Sequence, residues 1–199
     1  MPVPKGSTLD PARTRAAILD MATDALYEHG LDGVSVGRLC TEAGISKETL
    51  YRHFGSKDGL VQAVVQARSD RVTRWLSRAA TAAGEDPADQ LAAVFDALST
   101  WHAEPGFRGC AIVNAAVQHH ADPVRPIAAR HFDRRLDLLA GIAARAGVAD
   151  PERLGRQLLQ LVVGATVIAD LRPDPGAARD AREAALALLA NAAQSPSTR

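Results

Sequence analysis

The stretch Val34–Lys57, VSVGRLCTEAGISKETLYRHFGSK, decides how the rest of this 199-residue chain is read. Ser35 stands where a helix N-cap belongs, and Leu39 can fold back on Val34 as a hydrophobic staple. Ser46 repeats the arrangement, with Ile45 stapled to Leu50. Between the two lies Ala43-Gly44-Ile45-Ser46, a turn in which Gly44 supplies the backbone freedom for a tight bend. Two short helices joined by such a turn form a helix-turn-helix unit.

The second of these helices divides by face. Leu50 and Phe54, four residues apart, point to the core. At helical spacing Glu48, Thr49, Tyr51 and Arg52 project from the other side. A recognition helix needs this division: an apolar back to hold it and polar side chains that reach base edges and phosphates. Lys47 sits at its exposed N-terminus. Lys57 opens the next helix, where its amine and the backbone N–H groups can meet a phosphate. Arg52 can take guanine O6 and N7 bidentately, and Glu48 can accept from cytosine N4. Equally, Glu48 and Arg52 stand at i and i+4 and can pair with each other; both readings are open at this level. From Arg38 to Lys57 four basic residues (Arg38, Lys47, Arg52, Lys57) face two acidic ones (Glu42, Glu48), and two of the chain's three lysines lie here. Arg13 and Arg15 can add phosphate contacts. Cys40, beside Leu39, reads as a small buried hydrophobe.

Outward from this unit, the chain is punctuated for helices. Asp-Pro occurs at Asp10-Pro11, Asp86-Pro87, Asp122-Pro123, Asp150-Pro151 and Asp174-Pro175, pairing an N-cap residue with one suited to the first helical position. Gly30, Gly44, Gly55, Gly84, Gly106 and Gly147 stand where helices should stop. Ile18, Ala22, Ala25 and Leu26 recur at helical spacing, 39 residues are alanine, and no segment alternates with period two. The expected fold is all-α, with nine helices near 11–29, 36–43, 47–53, 57–83, 87–103, 109–120, 124–146, 152–171 and 176–193. The first three are short and the later ones long. We therefore expect an N-terminal helix-turn-helix domain over residues 1–56 and a larger C-terminal domain over 57–199.

Composition narrows the function classes. Lys and Arg number 23, Asp and Glu also 23, so the net charge is zero; a chain that coats nucleic acid nonspecifically is excluded, a local basic surface is not. With 47% hydrophobic residues the chain is not a disordered one. Cys40 and Cys110 are too few for a disulfide scaffold, Met1–Asp10 lacks a signal-peptide pattern, and the longest apolar run, Leu158–Ala169, is interrupted by Gln160 and Thr166. A cytoplasmic protein with no membrane partner is the expectation.

In the C-terminal part, the eighth helix (Leu154, Leu158, Leu161, Val162, Ala165, Ile168) is apolar almost all round and needs covering on two sides. The ninth offers Ala181, Ala184, Ala185 and Leu188 for close approach. Helices eight and nine are thus expected to form a symmetric four-helix interface in a homodimer. The region around residues 75–120 can build a small-molecule pocket, with Trp75, Trp101 and Phe107 as walls beside Cys110, and His102 and Asn114 as hydrogen-bonding groups. Cys110, near a helix N-terminus, reads either as a packing residue or as a thiol sensor of oxidants and electrophiles. His119, His120 and Asp122 look like a metal cluster, but adjacent helical histidines point about 100° apart, and a helix end with its following cap explains them better. No metal and no cofactor is expected. A Cys110–His102 thiol–base pair is the one arrangement that would suggest an enzyme; no nucleophile elbow or phosphate-binding loop accompanies it, and no catalytic residue is assigned.

At the helix-turn-helix the sequence resembles the tetracycline-repressor (TetR) family of bacterial transcriptional regulators. The residues that carry the resemblance are Ser35, Ala43-Gly44-Ile45-Ser46, Lys47, Thr49-Leu50-Tyr51, His53-Phe54 and Lys57, within a match over roughly residues 11–60. Gly109-Cys110-Ala111-Ile112-Val113-Asn114 looks like the Gly-Cys-x-x-x-Asn opening of the sixth helix in one branch of that family. The resemblance implies a homodimer on a palindromic double-stranded operator, with a small-molecule effector in the C-terminal body. It further implies phosphate contacts from Ser35, Thr49, Tyr51, His53 and Lys57 and base reading by Lys47, Glu48 and Arg52. Glu48 departs from the small residue often found there. A repressor released by its effector is the function expected, with a thiol-based sensor acting through Cys110 as the alternative.

Overall fold

The computed structural model describes residues 10–30, 33–118, 124–172 and 176–194. Among these residues the chain forms nine α-helices and no strand: α1 (Pro11–His29), α2 (Val36–Ala43), α3 (Lys47–Phe54), α4 (Lys57–Ala82), α5 (Pro87–His102), α6 (Ala111–Gln118), α7 (Arg125–Arg145), α8 (Pro151–Leu171) and α9 (Ala177–Gln194). The chain divides into two compact units between Arg68 and Ser69. The first three turns of α4 thus group with the N-terminal helices, beyond residue 56, and their buried Leu60, Val61, Val64 and Val65 supply the reason.

The caps form from neighbouring residues. Asp10 Oδ1 accepts from Ala12 N at 3.0 Å, Asp86 Oδ1 from Ala88 N at 2.7 Å, and Asp150 Oδ1 from Arg153 N at 2.9 Å. Asp122-Pro123 and Asp174-Pro175 lie outside the described residues. Glycine in the left-handed region ends α1 at Gly30 and α2 at Gly44. Gly106 does not play this part. Helix α5 closes on Ala103 with ordinary right-handed backbone, and the positive φ of 70° falls instead on Gly109, just ahead of α6. Helix α6 accordingly starts two residues later than its sequence suggests.

In the N-terminal unit Ile18, Ala22, Leu26, Val34, Leu39, Leu50 and Leu60 make the core, with Cys40 buried among them. Arg38 clips α2 in place: its Nε meets Glu42 Oε1 at 2.7 Å and its Nη2 meets His29 Nε2 at 2.9 Å. A Cβ on Gly59 would overlap the Phe54 carbonyl, so the chain can enter α4 this tightly only with glycine there.

In the C-terminal unit α8 packs against α7 on one side and α9 on the other, and α5 also packs on α9. Phe95, Leu98, Leu139, Ile142 and Leu158 are fully buried. Helices α7 and α8 approach closely because position 155 is glycine; a Cβ there would stand 2.9 Å from Ala140 Cβ. By length and composition α8 is long and apolar enough to cross a bilayer, which the interrupted run Leu158–Ala169 alone does not suggest. Its packing between α7 and α9 is that of a core helix. Three polar links tie α7 to its neighbours: Arg134 to Asp70 at 2.6 Å, Ser69 Oγ to His131 Nδ1 at 3.0 Å, and Arg145 to Gln90 Oε1 through both Nε and Nη2.

Candidate functional site

The helix-turn-helix is built by two serine caps and one glycine. Ser35 Oγ accepts from Arg38 N at 3.2 Å and Ser46 Oγ from Thr49 N at 3.1 Å. At the end of α2 Gly44 takes φ 64°, its N–H reaching Thr41 O while Ile45 N–H reaches Cys40 O at 3.0 Å. This paired closure is a Schellman motif, and it sets the direction in which α3 departs.

Leu50 is wholly buried beneath α3, whereas Lys47, Glu48, Tyr51 and Arg52 are exposed and Thr49, His53 and Lys57 are half-buried. Five of the residues expected to meet DNA thus lie on α3's outer side or its flanks, with Ser35 exposed at the start of α2. Arg52 Nη2 rests on Glu48 Oε1 at 2.8 Å, the side chains being 69% and 81% exposed. The Thr49 hydroxyl lies 3.0 Å from Ser46 Oγ. Ser56 caps α4 by accepting from Gly59 N at 3.0 Å, a cap the sequence reading missed although Ser ahead of a helical run is its usual signal. Arg15 does not project freely: its guanidinium lies over the Phe54 ring, 5.1 Å from the centroid.

The residues expected to form a ligand pocket separate into two groups. Trp75, Trp101, His102 and Phe107 stack on one another, with Trp101–Phe107 centroids 4.9 Å apart and His102–Phe107 4.8 Å. Both His102 ring nitrogens are buried without a hydrogen-bond partner, and burial pulls its pKa down to about 4, so the ring is neutral at physiological pH. The Cys110–His102 pair is therefore not formed. Cys110 and Asn114 instead line a cleft of about 300 Å³, counted with its open mouth. Gly109 and Val113 complete that wall; Arg135 comes from α7, and Val163, Thr166, Val167 and Asp170 come from α8. Within it the Asn114 amide donates to Arg108 O at 2.8 Å, pinning the loop ahead of α6.

Sequence reasoning missed Arg135 and His131 altogether. Both are buried on α7, four residues apart. His131 is held neutral, its pKa pulled down to about 3 by burial first and then by the Arg135 and Arg134 charges. The signal was a charge on the buried stripe of an amphipathic helix, visible only once α7's inward face is known. Among the described residues no group of three or more His, Cys, Asp or Glu could hold a metal; His119, His120 and Asp122 lie outside them.

A capped, glycine-turned helix pair with a polar outer face, on a chain whose remainder is a helical bundle, has the architecture of a helix-turn-helix regulator. Residues 18–64 match the family described as bacterial regulatory proteins, tetR family. UidR, an HTH-type transcriptional regulator of Escherichia coli, is 39% identical over 61 residues, covering 31% of this chain and 30% of UidR. The HTH-type transcriptional repressor Rv3405c of Mycobacterium tuberculosis is 35% identical over 81 residues, 41% of this chain and 40% of that protein. These matches span less than half the length of either relative. The crystal structure of SCO4454, a TetR-family transcriptional regulator from Streptomyces coelicolor, aligns over 92% of this chain and 97% of its own, with TM-score 0.80 and 30% identity. The chain belongs to the TetR family of transcriptional regulators.

Proposed function

We propose that the protein is a homodimeric, effector-released repressor that reads a palindromic DNA operator with α3. The observation that carries this reading is the division of α3: Leu50 is 0% exposed while Tyr51 is 42% exposed, with Lys47, Glu48 and Arg52 open to solvent beside it. Lys47, Glu48 and Arg52 are the proposed base readers, and Ser35, Thr49, Tyr51, His53 and Lys57 the phosphate contacts. Residues 1–56 would serve as the DNA-binding domain and 57–199 as the effector-binding and dimerisation domain, acting in the cytoplasm without a cofactor or a catalytic step.

Dimerisation is assigned to α8 and α9. Val167, Ile168 and Leu171 are 41%, 49% and 79% exposed on α8, an apolar strip that a second copy can cover. Exposed Ala184 and Ala187 on α9 allow a partner helix to approach closely. Two recognition helices must then span successive major grooves, about 34–36 Å or a multiple apart. An effector releases DNA only by binding a dimer of different spacing more tightly.

The test is selection of the purified protein against a random double-stranded library at moderate salt. Enrichment of one palindrome supports the reading, and its half-site spacing reports the dimer. A folded, ligand-free protein that enriches no sequence refutes it. A second reading, a thiol sensor, is favoured by the position of Cys110 in the cleft wall beside Arg135. It predicts that N-ethylmaleimide releases the operator from the wild type and not from Cys110→Ala.

A further inference from the structure

Arg135 is 3% exposed, yet no carboxylate among the described residues pairs with it. Its neighbour Arg134 takes Asp70, and the polar partner of the Arg135 guanidinium is the Cys110 thiol. Nε and Nη2 are buried and donate to nothing. A desolvated cation with two idle donors is costly, and a methionine of similar volume would fill the space without that cost. Arginine keeps its proton even so, because its ordinary pKa lies so far above neutrality.

The idle pair is not an arbitrary one. Nε–H and one Nη2–H point in parallel, which is the fork that grips both oxygens of a carboxylate. Arg145 already uses the same two atoms on Gln90 Oε1. Arg135 lines the cleft, and the other polar groups of its walls are spoken for. Thr166 donates to its own helix at Val162 O, and the Asn114 amide donates to Arg108 O. Val113, Val163 and Val167 make the remaining wall apolar. Asp170, exposed on the last turn of α8 with its carboxylate against Gly109, puts a negative charge on the rim and disfavours a second anionic group on any occupant.

We infer that this cleft is a binding site for a small monocarboxylate, its carboxylate on the Arg135 fork and its short apolar tail on Val113, Val163 and Val167. The inference deepens the effector-released reading above by naming the effector's chemical class, and it rests on that reading only for the consequence of binding, not for binding itself.

The experiment is calorimetric titration of the full chain with butyrate, hexanoate and benzoate, each beside its primary amide. The carboxylates should bind and the matched amides bind weaker by on the order of tenfold or more, the effect of losing a charge-assisted fork. Arg135→Met should fold, lose the carboxylate preference and bind neither series well. Val163→Phe, which fills the cleft and leaves Arg135 in place, should lose binding as well and serves if Arg135→Met does not fold. Equal binding of acid and amide, absence of carboxylate binding, or undiminished carboxylate binding by Val163→Phe overturns the inference. Titration needs no DNA. A protein that selects an operator but takes no carboxylate overturns the cleft assignment alone; one that takes carboxylates but selects no operator supports the site and refutes the regulator.

Discussion

Replacing Arg52 by alanine separates base reading from mere surface pairing. In the free protein Arg52 holds Glu48 at 2.8 Å, but with exposures of 69% and 81% the pair sits in water. An exposed i,i+4 pair of this kind contributes about 0.3–0.5 kcal/mol. A bidentate arginine–guanine contact discriminates against a wrong base by about 1–3 kcal/mol. The guanidinium therefore gains by leaving Glu48 for a base, and the observed pairing does not argue against a reading role. Arg52→Ala should cost about 1–3 kcal/mol per half-site on the selected operator, roughly 5- to 150-fold, while changing fold stability by no more than about 0.5 kcal/mol. Fluorescence anisotropy at fixed salt, with each base pair of the half-site exchanged in turn, gives the readout. The variant should become indifferent to the base at one position and keep its discrimination elsewhere. A uniform loss across all sequences, with the salt slope reduced by about one, would make Arg52 a phosphate contact. An unchanged affinity would mean that this face of α3 does not read DNA at all.

Other consequences follow from the packing. Gly155→Ala places a Cβ 2.9 Å from Ala140 Cβ and 3.0 Å from Ala140 N, where backbone cannot yield. Overpacking of about 1–3 kcal/mol should outweigh the helix-propensity gain of about 1 kcal/mol, lowering the urea midpoint. Gly141→Ala, whose Cβ would meet only the flexible Arg145 end at 3.5 Å, should raise it. Acid should destabilise the fold, because the pKa values of His131 and His102, about 3 and about 4, lie below the unfolded value of 6.5. The unfolded chain takes up those protons first, so stability is lost as pH falls from about 6.5 toward 4 and then 3, by at most about 1.4 kcal/mol per unit for each histidine. Urea midpoints at pH 7 and pH 5 should show this slope, and His131→Gln should flatten it; an identical slope in the variant would assign the acid sensitivity to other groups. Ile168→Lys, on the 49%-exposed strip of α8, should give monomers in sedimentation and abolish operator binding, and a persistent dimer would place the interface elsewhere.

What was legible in the chain is what depends on residues within one helical turn. Ser35, Ser46 and Asp86 cap helices two or three residues on, and Gly44 closes α2 through bonds to Thr41 and through its neighbour Ile45 to Cys40. The outer face of α3 followed from its own periodicity, since Leu50 alone orients that helix. The positive φ at Gly109 where Gly106 was expected shows the limit of this reasoning even at short range: both glycines permit a turn, and the packing of the loop before α6 chose between them. The pocket was legible only as a neighbourhood. The aromatic rings that sequence proximity suggested as its walls stack on each other, while the cleft borrows Arg135 from α7 and Thr166 from α8. Ser69 meets His131 across 62 positions, and Gly155 meets Ala140 only because two long helices cross there. Helix formation is set by capping and periodicity, which the chain carries locally. The rotation and spacing of one helix against another emerge from the whole core, and they alone decided that a buried guanidinium would face a cleft with two donors idle.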